Sequence, residues 1–397
     1  KLAADRELDM GVRKTERYRL AEALAGAEVD GDRWRLVWSC RHLLLMTATP
    51  HMGKEYPYYC LWRLLEPEVL STIDALNAYP PEARQRHFLR RTKEEMVYLD
   101  GRPLYPQRIS DTLSYTLTQG PVSEQTLYDH TTAYIDTFYN RAHFLNRAAA
   151  RFAKGIFQRR LASSTYALLC SLQRRLAKLT ALIADIEAGR ITPEELLDRQ
   201  QAVGRRDPFD EGTADEESGE GGREQNEIDE DDALGRVVGR SLADLRREQT
   251  EVAQLVGLAQ QVHDRGEESK FARLLEVLRD PAYRDEKMII FTEHRDTLDF
   301  IVRRLEALGY TGQIASIHGG LDYREREAQV EAFRRPAAEG GATYLIATDA
   351  AGEGINLQFC WLMVNYDIPW NPARLEQRLG RIHRYKQQHD PVILLNL

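Results

Sequence analysis

The chain has 397 residues, of which 43% are hydrophobic and 29% are charged, and its 62 acidic and 54 basic side chains give a formal net charge of −8. This length predicts two or three domains, each large enough to bury its own core. No apolar run approaches the ~18 residues of a membrane-spanning helix, which argues against a transmembrane protein. The acidic balance by itself argues against nucleic-acid binding, which usually requires a basic surface.

The first region, up to about residue 118, mixes short apolar runs with turn signals. Residues 15–26 have the apolar spacing of a helix and end at a glycine. The run HLLLMTATP at 42–50 has large apolar residues followed by small and hydroxyl residues and a proline, which predicts a buried strand leading into a loop. Residues 56–68 are predicted to form an aromatic-rich helix.

The second region, roughly 120–280, is predicted to be helical. Residues 121–139, 157–189 and 236–262 repeat apolar side chains at i, i+3 and i+4. Between the last two, residues 207–232 contain 13 acidic residues, one arginine and five glycine or proline positions. Such a segment cannot bury apolar surface and is predicted to be a disordered, solvated linker. The alternative is a phosphate mimic that competes for a basic groove.

The third region, about 284–397, alternates five short apolar runs with helical segments. This order predicts an α/β fold with a doubly wound parallel sheet, in which ligands bind at the loops after the carboxyl ends of the strands. Three of these loops begin with Thr292, with His318-Gly319 and with the run from Thr348 to Asn356. Their N–H and hydroxyl groups suit phosphate oxygens. The alternative is ordinary turn chemistry.

The run WNPARLEQRLGRIHRYKQ at 370–387 is the most basic part of the third region. It predicts a helix with Gln377, Arg381 and Arg384 on one face, while Arg378 points elsewhere. A rigid cationic face suits the charge that develops on a transferred γ-phosphoryl group, the arginine-finger role. The alternative is an exposed basic helix whose surface salt bridges contribute about 0–1 kcal/mol each.

The cysteines and histidines exclude other classes. The four cysteines lie far apart without a CxxC pair, and the ten histidines show no HExxH or zinc-ligand spacing. This usage predicts reduced thiols in a cytoplasmic protein and no metal site. The opening residues KLAADRELDM have neither an initiator methionine nor the apolar core of a signal peptide, so the sequence is predicted to be a fragment.

Several of these runs together resemble the motifs of superfamily-two helicases. QRLGRIHR is similar to motif VI, TDAAGEGINLQ to motif V, IIFTEHRDT and IHGGL to motifs IV and IVa, and TATPH to motif III. Residues 367–384, and residues 87–96 followed by SYTLT and EQTLY, resemble blocks of the SWI/SNF-type double-stranded-DNA translocases. Residues 157–175 resemble a feature of their bacterial RapA-like branch.

The resemblance implies two RecA-like lobes. Residues 1–118 would be the C-terminal part of the first lobe, residues 119–283 a helical insertion and residues 284–397 the second lobe. The sequence contains no GxxxxGK[ST] and no DExH, so the resemblance assigns most of the binding of ATP and Mg²⁺ to first-lobe motifs upstream of Lys1. Lys386 stands where the family usually has glycine.

The resemblance also implies roles for individual residues. Arg381, Arg384 and Gln377 would be catalytic; Gly352, Glu353, Gly354 and Asn356 would bind the nucleotide; Thr292, His318, Gly319, Thr348, Trp370 and Asn371 would bind DNA; and Thr47 and Thr49 would couple the lobes to the nucleotide state. The arginine pairs 159–160 and 174–175 are candidates for a duplex-facing arm, or alternatively for an exposed helix face with snorkelling side chains.

The implied function is ATP-dependent translocation on double-stranded DNA by sequence-independent tracking of phosphates. The alternatives are a non-catalytic scaffold or regulatory nucleic-acid-binding module, and a strand-separating helicase. By analogy, the context would be phage defence of the DISARM type, DNA repair or polymerase recycling, with protein partners in a defence or transcription complex. The net charge does not oppose this function, because the chain without residues 207–232 has 53 basic and 49 acidic side chains.

Overall fold

The computed structural model divides the chain into two compact units, one within residues 1–96 and one within residues 97–397. The residues that it describes are 4–6, 12–27, 36, 38–47, 55–139, 147–192, 241–349 and 355–397. Thr49, the acidic segment 207–232, Gly352, Glu353 and Gly354 lie outside the described residues. Within the described part of the chain, no helix is both long and apolar enough to cross a membrane.

In its described residues, the first unit consists of a short hairpin and four helices. Its elements are β1 (Ala4–Arg6), β2 (Val12–Lys14), α1 (Glu16–Ala25), α2 (Glu55–Leu65), α3 (Ile73–Ala78) and α4 (Pro81–His87). Thr15 caps α1 by accepting a hydrogen bond from the N–H of Tyr18, and Gly26 ends this helix at a φ of 76°. The helices predicted at 15–26 and 56–68 are therefore confirmed.

The predicted buried strand at 42–50 is wrong for the residues that the structure describes. Residues 42–47 form no strand, and the side chains of Leu44 and Met46 are 81% and 86% exposed. A strand needs a neighbour that pairs with its backbone N–H and C=O groups. Because β1 and β2 pair only with each other, the described first unit offers this apolar run no such neighbour.

The second unit is built on a six-stranded parallel sheet with the order β3-β8-β7-β4-β6-β5. The strands are β3 (Arg108–Thr112), β4 (Met288–Thr292), β5 (Ile314–Ile317), β6 (Tyr344–Thr348), β7 (Leu362–Asn365) and β8 (Val392–Asn396). Neighbouring residues of β4 enter different cores, Ile290 on one face of the sheet and Ile289 on the other. The predicted α/β fold with a RecA-like, doubly wound parallel sheet is confirmed.

Strand β3 belongs to the second unit, although the sequence places it in the first region. It lies within the predicted first region, 1–118, yet it pairs in parallel with β8. The division falls after Met96, so that residues 97–118 belong to the second unit. The sequence does not predict β3, because all five of its residues are exposed at the edge of the sheet and show no apolar pattern. The assignment of the preceding residues to a first RecA-like lobe stays a prediction.

The described helices of the second unit fall into two groups. α5 (Glu124–Phe138), α6 (Arg147–Ser163), α7 (Thr165–Glu187), α8 (Leu242–Asp264) and α9 (Ser269–Arg279) precede β4, whereas α10 (Arg295–Leu305), α11 (Tyr323–Arg334) and α12 (Pro372–Leu379) lie between strands. A π-helical turn (Glu306–Tyr310) follows α10, and a 3₁₀ turn (Ala337–Glu339) follows α11. Ser164 interrupts the predicted helical segment 157–189 because its side chain caps α7.

Helices α5 to α8 share one apolar core, and we call them the helical region. Helix α9 is different, because Phe271 and Leu274 are buried in the core of the sheet beside Ile290. Helix α9 therefore packs on the sheet, although it precedes residue 284, the predicted start of the second lobe.

The paired arginines of the helical region do not form an exposed basic arm. Arg160 and Arg175 are buried, and Arg175 lies 2.7 Å from a carboxylate oxygen of Glu248. Arg174 forms an ion pair with Asp296 on α10 at 2.5 Å. Buried guanidinium groups need such partners to offset their desolvation. The predicted duplex-facing role is therefore wrong for Arg160 and Arg175, and the half-buried Arg174 is paired with Asp296.

Candidate functional site

Polar residues follow four neighbouring strands at one edge of the sheet. Because β4, β5, β6 and β7 run parallel, their carboxyl ends lie together, and we call this the carboxyl edge. Thr292 and Thr348 end β4 and β6 in the same register, His318 follows β5 directly, and Asp367 lies two residues beyond β7. The structure thus brings together the three loops predicted to hold phosphates and adds Asp367.

Asp367 is buried at this edge and accepts hydrogen bonds from four groups. Its Oδ2 accepts from the hydroxyls of Thr292 at 2.5 Å and Ser163 at 2.7 Å, and from the N–H of Glu293 at 2.9 Å. Its Oδ1 accepts from Lys270 Nζ at 2.9 Å. Burial alone would raise the pKa of this carboxyl, but Lys270 and the hydroxyl of Thr292 hold it well below its ordinary value. Asp367 is therefore ionised and paired.

Thr292 and Thr348 occupy equivalent positions but differ in the use of their hydroxyl groups. Thr292 is fully buried and donates to Asp367. Its predicted role in DNA binding conflicts with this arrangement, since the hydroxyl is turned inward and already bonded. The hydroxyl of Thr348 is also buried, but it makes no hydrogen bond with any residue that the structure describes. A buried hydroxyl without a partner is unfavourable, so Thr348 has donor capacity to offer a ligand.

The loop after β5 is held by its own hydrogen bonds. His318 Nδ1 accepts from the N–H of Gly320 at 3.2 Å, and the carbonyl of Gly319 accepts from Arg326 Nη2 at 3.0 Å. A capping box at the start of α11 fixes the following turn. These contacts are those of an ordinary turn, and the role of His318 and Gly319 in DNA binding stays a prediction.

The segment after β7 exposes one aromatic side chain. Trp370 is 70% exposed. Asn371 caps α12, because its side-chain oxygen accepts from the N–H of Ala373 at 3.0 Å, and Pro372 occupies the first helical position. Asn371 therefore has a structural use in addition to its predicted one, whereas Trp370 presents a flat apolar surface to solvent.

Arg378 is the buried arginine of the 370–387 segment. It is only 3% exposed, and its Nε and Nη2 donate to the two carboxylate oxygens of Asp349 at 2.5 and 2.7 Å. Its Nη1 donates to the side chain of Asn365 at 3.0 Å and to the carbonyl of Asp367 at 2.6 Å. Bidentate guanidinium–carboxylate pairs fix geometry as well as charge. Arg378 therefore anchors α12 to the ends of β6 and β7.

Arg381 and Arg384 lie beyond the end of α12, so the predicted single helical face is wrong. Of the three residues assigned to that face, only Gln377 lies on the helix, which ends at Leu379. The chain then continues in tighter turns, in which the N–H of Arg381 bonds the carbonyl three residues before it. Gly380, a poor helix former, marks the change, and its carbonyl accepts from Arg384 Nε at 2.8 Å.

The turn that carries these two arginines packs against the segment before β7. The N–H of Leu357 donates to the carbonyl of Arg381 at 3.3 Å, and Gln387 Nε2 donates to the carbonyl of Cys360 at 3.0 Å. Asn356, which precedes Leu357, is exposed. The fold thus brings Asn356 and Arg381, two residues assigned to the same nucleotide by separate motifs, into one neighbourhood.

Two further contacts shape this turn. His383 is buried, and its Nε2 lies 2.8 Å from the carbonyl oxygen of Pro106, just before β3. Lys386 has a φ of 67°, in the left-handed region that favours glycine. The loop therefore keeps the backbone conformation that the family's usual glycine would adopt, although lysine occupies the position.

Burial keeps two ionisable side chains of the carboxyl edge neutral near pH 7. It raises the pKa of Glu293 to about 8, against the opposing charge of Arg159, and Asp367 adds to the rise. The guanidinium of Arg374, 3.6 Å away, does not offset this burial. Burial lowers the pKa of His294 to about 3, and the neighbouring Arg160 adds to that effect.

Asp367 and Lys270 are site residues that the sequence motifs do not single out, and Arg378 has no predicted role. One signal was present: Asp367 and Lys270 are charged residues placed directly beside apolar runs.

Thr47 is exposed in the first unit, and its coupling role stays a prediction. No cluster of three His, Cys, Asp or Glu side chains in the described ranges could hold a metal ion. The donor set of guanidinium, amide and hydroxyl groups suits phosphate instead.

Comparisons with known proteins relate part of the chain to helicases. Residues 269–386 match the family described as helicase conserved C-terminal domain. The "uncharacterized ATP-dependent helicase YqhH" of Bacillus subtilis (strain 168) is 47% identical over 106 residues, which are 27% of this chain and 18% of that protein. The "RNA polymerase-associated protein RapA" of Serratia proteamaculans (strain 568) is 36% identical over 117 residues, 29% of this chain and 12% of that protein.

Relatives that act on RNA by their names also match. The "pre-mRNA-processing ATP-dependent RNA helicase prp5" of Aspergillus clavatus is 37% identical over 128 residues, 31% of this chain and 10% of that protein. Among solved structures, the C-terminal part of the Fun30 ATPase domain overlaps 74% of this chain and 85% of that chain, with 16% identity and a TM-score of 0.38.

The chain thus spans less than a fifth of the length of these curated relatives. The matched residues begin with α9, the helix that packs on the sheet, and end at Lys386. Lys386 lies in the turn after α12 that carries Arg381 and Arg384, which we call the arginine turn. Residues 269–386 are therefore similar to the helicase conserved C-terminal domain.

Proposed function

We propose that this chain is part of an ATP-driven translocase that moves along double-stranded DNA. The supporting observation is the turn after α12, in which Arg381 and Arg384 lie beside the Asn356 segment within a helicase C-terminal domain. In this proposal the P-loop lobe lies elsewhere in the same protein and supplies most contacts to ATP and Mg²⁺.

The residues of the arginine turn fit a triphosphate. Arg384 Nε donates to the carbonyl of Gly380, and among the described residues its terminal Nη groups make no hydrogen bond. ATP, when bound with Mg²⁺, would supply the phosphoryl group for hydrolysis. Arg384 and Arg381 would neutralise charge on the γ-phosphoryl oxygens, and Gln377 would orient them. Asn356, together with Gly352, Glu353 and Gly354, would approach the ribose and phosphates.

The carboxyl edge would face DNA. The buried, unpartnered hydroxyl of Thr348 and the exposed ring of Trp370 are the groups that favour this assignment, and His318, Gly319 and Asn371 would add contacts. Thr292 is left out because it bonds Asp367. Phosphate contacts carry no sequence information, so binding should be independent of sequence and should weaken steeply with added salt. A flat salt dependence would contradict phosphate tracking.

The arginine assignment is tested in the full-length protein by measuring DNA-stimulated ATP hydrolysis. Arg384→Ala should lower the maximal rate by at least about 10³-fold, the usual effect of losing an arginine finger, while DNA binding persists. Arg334→Ala is a matched control, because Arg334 is an exposed arginine that pairs with Glu331 on α11. Hydrolysis by the Arg384 variant within about tenfold of the parent would exclude the finger role.

The choice of substrate and of movement needs separate measurements. Some relatives are RNA helicases by name, so ATP hydrolysis should be compared with double-stranded DNA, single-stranded DNA and RNA as stimulators. Stimulation by duplex DNA with displacement of a triplex strand but no unwinding of the duplex supports translocation. Unwinding supports a strand-separating helicase, and no ATP hydrolysis with any nucleic acid supports a scaffold.

A further inference from the structure

The helical region is joined to the sheet through buried hydroxyl groups at the end of α6. Ser163 donates to Asp367 Oδ2 at 2.7 Å, and its hydroxyl also lies 2.7 Å from that of Thr297 at the start of α10. The hydroxyl of Ser164 lies 2.9 Å from the same Thr297 oxygen. All four side chains are buried, so this junction excludes water and each hydroxyl depends on its neighbours.

Lys270 makes a second link to the same carboxylate. Its Nζ donates to Asp367 Oδ1 at 2.9 Å and to the carbonyl of Ala162 in the last turn of α6 at 2.8 Å. The ammonium also lies 4.6 Å from the ring centre of Tyr366. One buried cation therefore connects α9, α6 and Asp367, and displacement of α6 from the sheet would remove the carbonyl of Ala162 from Lys270 and the hydroxyl of Ser163 from Asp367.

The main chain of Asp367 contacts α12 rather than α6. Its carbonyl accepts from Arg378 Nη1 at 2.6 Å, and Arg378 in turn holds Asp349. Arg378 lies on α12, one turn before the arginine turn. Asp349 directly follows Thr348, the threonine with the unpartnered hydroxyl. Ser163 of the helical region thus supplies one of the four donors to the side chain of Asp367, and the backbone of Asp367 is bonded to the helix that leads to Arg381 and Arg384.

From this arrangement we infer that Asp367 is a positioning residue that couples the helical region to the arginine turn. The inference rests on the proposed function, since it requires that nucleic acid stimulates ATP hydrolysis. A change in the seating of α6 on the sheet reaches the arginines through Ser163, Asp367 and Arg378 in turn. Stimulation by DNA therefore depends on hydrogen bonds that touch neither nucleotide nor DNA.

The test uses the full-length protein and compares ATP hydrolysis with and without duplex DNA. Ser163→Ala removes one link while Asp367 keeps its other three donors, so the fold should persist. We expect the ratio of stimulated to basal rate to fall by about fivefold or more, with KM for ATP unchanged. Asp367→Asn should lower the ratio at least as far. Ser163→Thr, which restores a hydroxyl, should recover most of the stimulation.

Asp296→Asn is the matched control. Asp296 on α10 pairs with Arg174 on α7 at 2.5 Å and lies 3.7 Å from Arg160 on α6, and none of these contacts involves Ser163, Asp367 or Arg378. The substitution Asp296→Asn therefore weakens the attachment of the helical region at a point other than Asp367. The control should keep the stimulation ratio within about twofold of the parent. The double variant S163A/D367N should be no worse than D367N, because both changes interrupt one link.

Each outcome decides the question. If the unmodified protein is not stimulated by duplex DNA, the proposed function fails and this inference fails with it. If the unmodified protein is stimulated and Ser163→Ala keeps the full ratio, the inference alone is overturned. Equal losses in Ser163→Ala and Asp296→Asn also overturn it, because they would show that general attachment of the helical region matters. Should Asp367→Asn not fold, the comparison of Ser163→Ala, Ser163→Thr and Asp296→Asn remains decisive.

Discussion

Arg378 and Arg384 lie in one segment of sequence but use their guanidinium groups in opposite ways. Arg378 is buried, and all three of its nitrogens donate, to Asp349, Asn365 and the backbone of Asp367. Arg384 is half-buried, and among the described residues only its Nε donates, within its own turn. Arg378 therefore stabilises the fold, whereas Arg384 has donors that can bind a ligand.

The two threonines of the carboxyl edge repeat this contrast. The hydroxyl of Thr292 donates to Asp367, whereas the buried hydroxyl of Thr348 has no partner in the described part of the chain. In each pair the residue type is the same, and the difference lies in the neighbours. Motif letters identify candidate residues, but burial and partners separate those that hold the site from those that can act in it.

The largest effect that tests this contrast is on stability. Arg378→Met keeps much of the side-chain volume but leaves Asp349 without its guanidinium. Removing one partner of a buried ion pair costs about 3–5 kcal/mol, so the free energy of unfolding should fall by that amount. Denaturant unfolding followed by circular dichroism measures it.

Arg384→Met is the matched control for that measurement. Its side chain is half-buried and, among the described residues, makes a single hydrogen bond within its turn, so the free energy of unfolding should change by less than about 0.5–1 kcal/mol. Losses of equal size in the two variants would break the contrast between a structural and a functional arginine.

A smaller effect concerns the neutral acid beside Asp367. Burial raises the pKa of Glu293 from an ordinary 4.5 to about 8. The folded protein then binds this proton more tightly than the unfolded chain does. The resulting stability is complete below pH 4.5 and is lost as the pH rises through 8, by about 3–4 kcal/mol between pH 5 and 8.

Glu293→Gln isolates that contribution, because glutamine resembles the protonated carboxyl and does not titrate. The fall in unfolding free energy between pH 5 and 8 should be flatter in this variant than in the parent. The measurement is denaturant unfolding at several pH values in constant salt. An unchanged slope would show that Glu293 is ionised in the folded protein and that Arg374 compensates its charge.

These contrasts also show how far the sequence could predict the molecule. The strands β4, β6 and β7 are buried at every residue, so their apolar runs alone predict them. Strand β3 is exposed throughout, and only its pairing with β8 makes it a strand. The apolar run at 42–47 fails for the converse reason, because an apolar pattern needs a paired neighbour to become a strand.

The candidate site was predictable to the level of its loops but not of its contacts. Strand order places Thr292, His318 and Thr348 at one edge, which follows from a parallel sheet. The partner of Thr292, however, is a carboxylate 75 residues away in sequence. Helical periodicity likewise extended α12 past Gly380, where tertiary contacts with Leu357 and Pro106 shape a turn instead.

The smallest effect lies in the arginine turn itself. Lys386 adopts a φ of 67°, a conformation that is unfavourable for any residue with a Cβ atom. Lys386→Gly removes that strain, while the greater freedom of glycine in the unfolded chain offsets part of the gain. The free energy of unfolding should therefore rise by about 0.5–1 kcal/mol. Lys386→Ala removes the same charge and the contact with the ring of Tyr385 but keeps Cβ, so it should give no gain. Equal stabilisation by glycine and alanine would show that the charge, and not the backbone, limits the stability of the turn that carries Arg384.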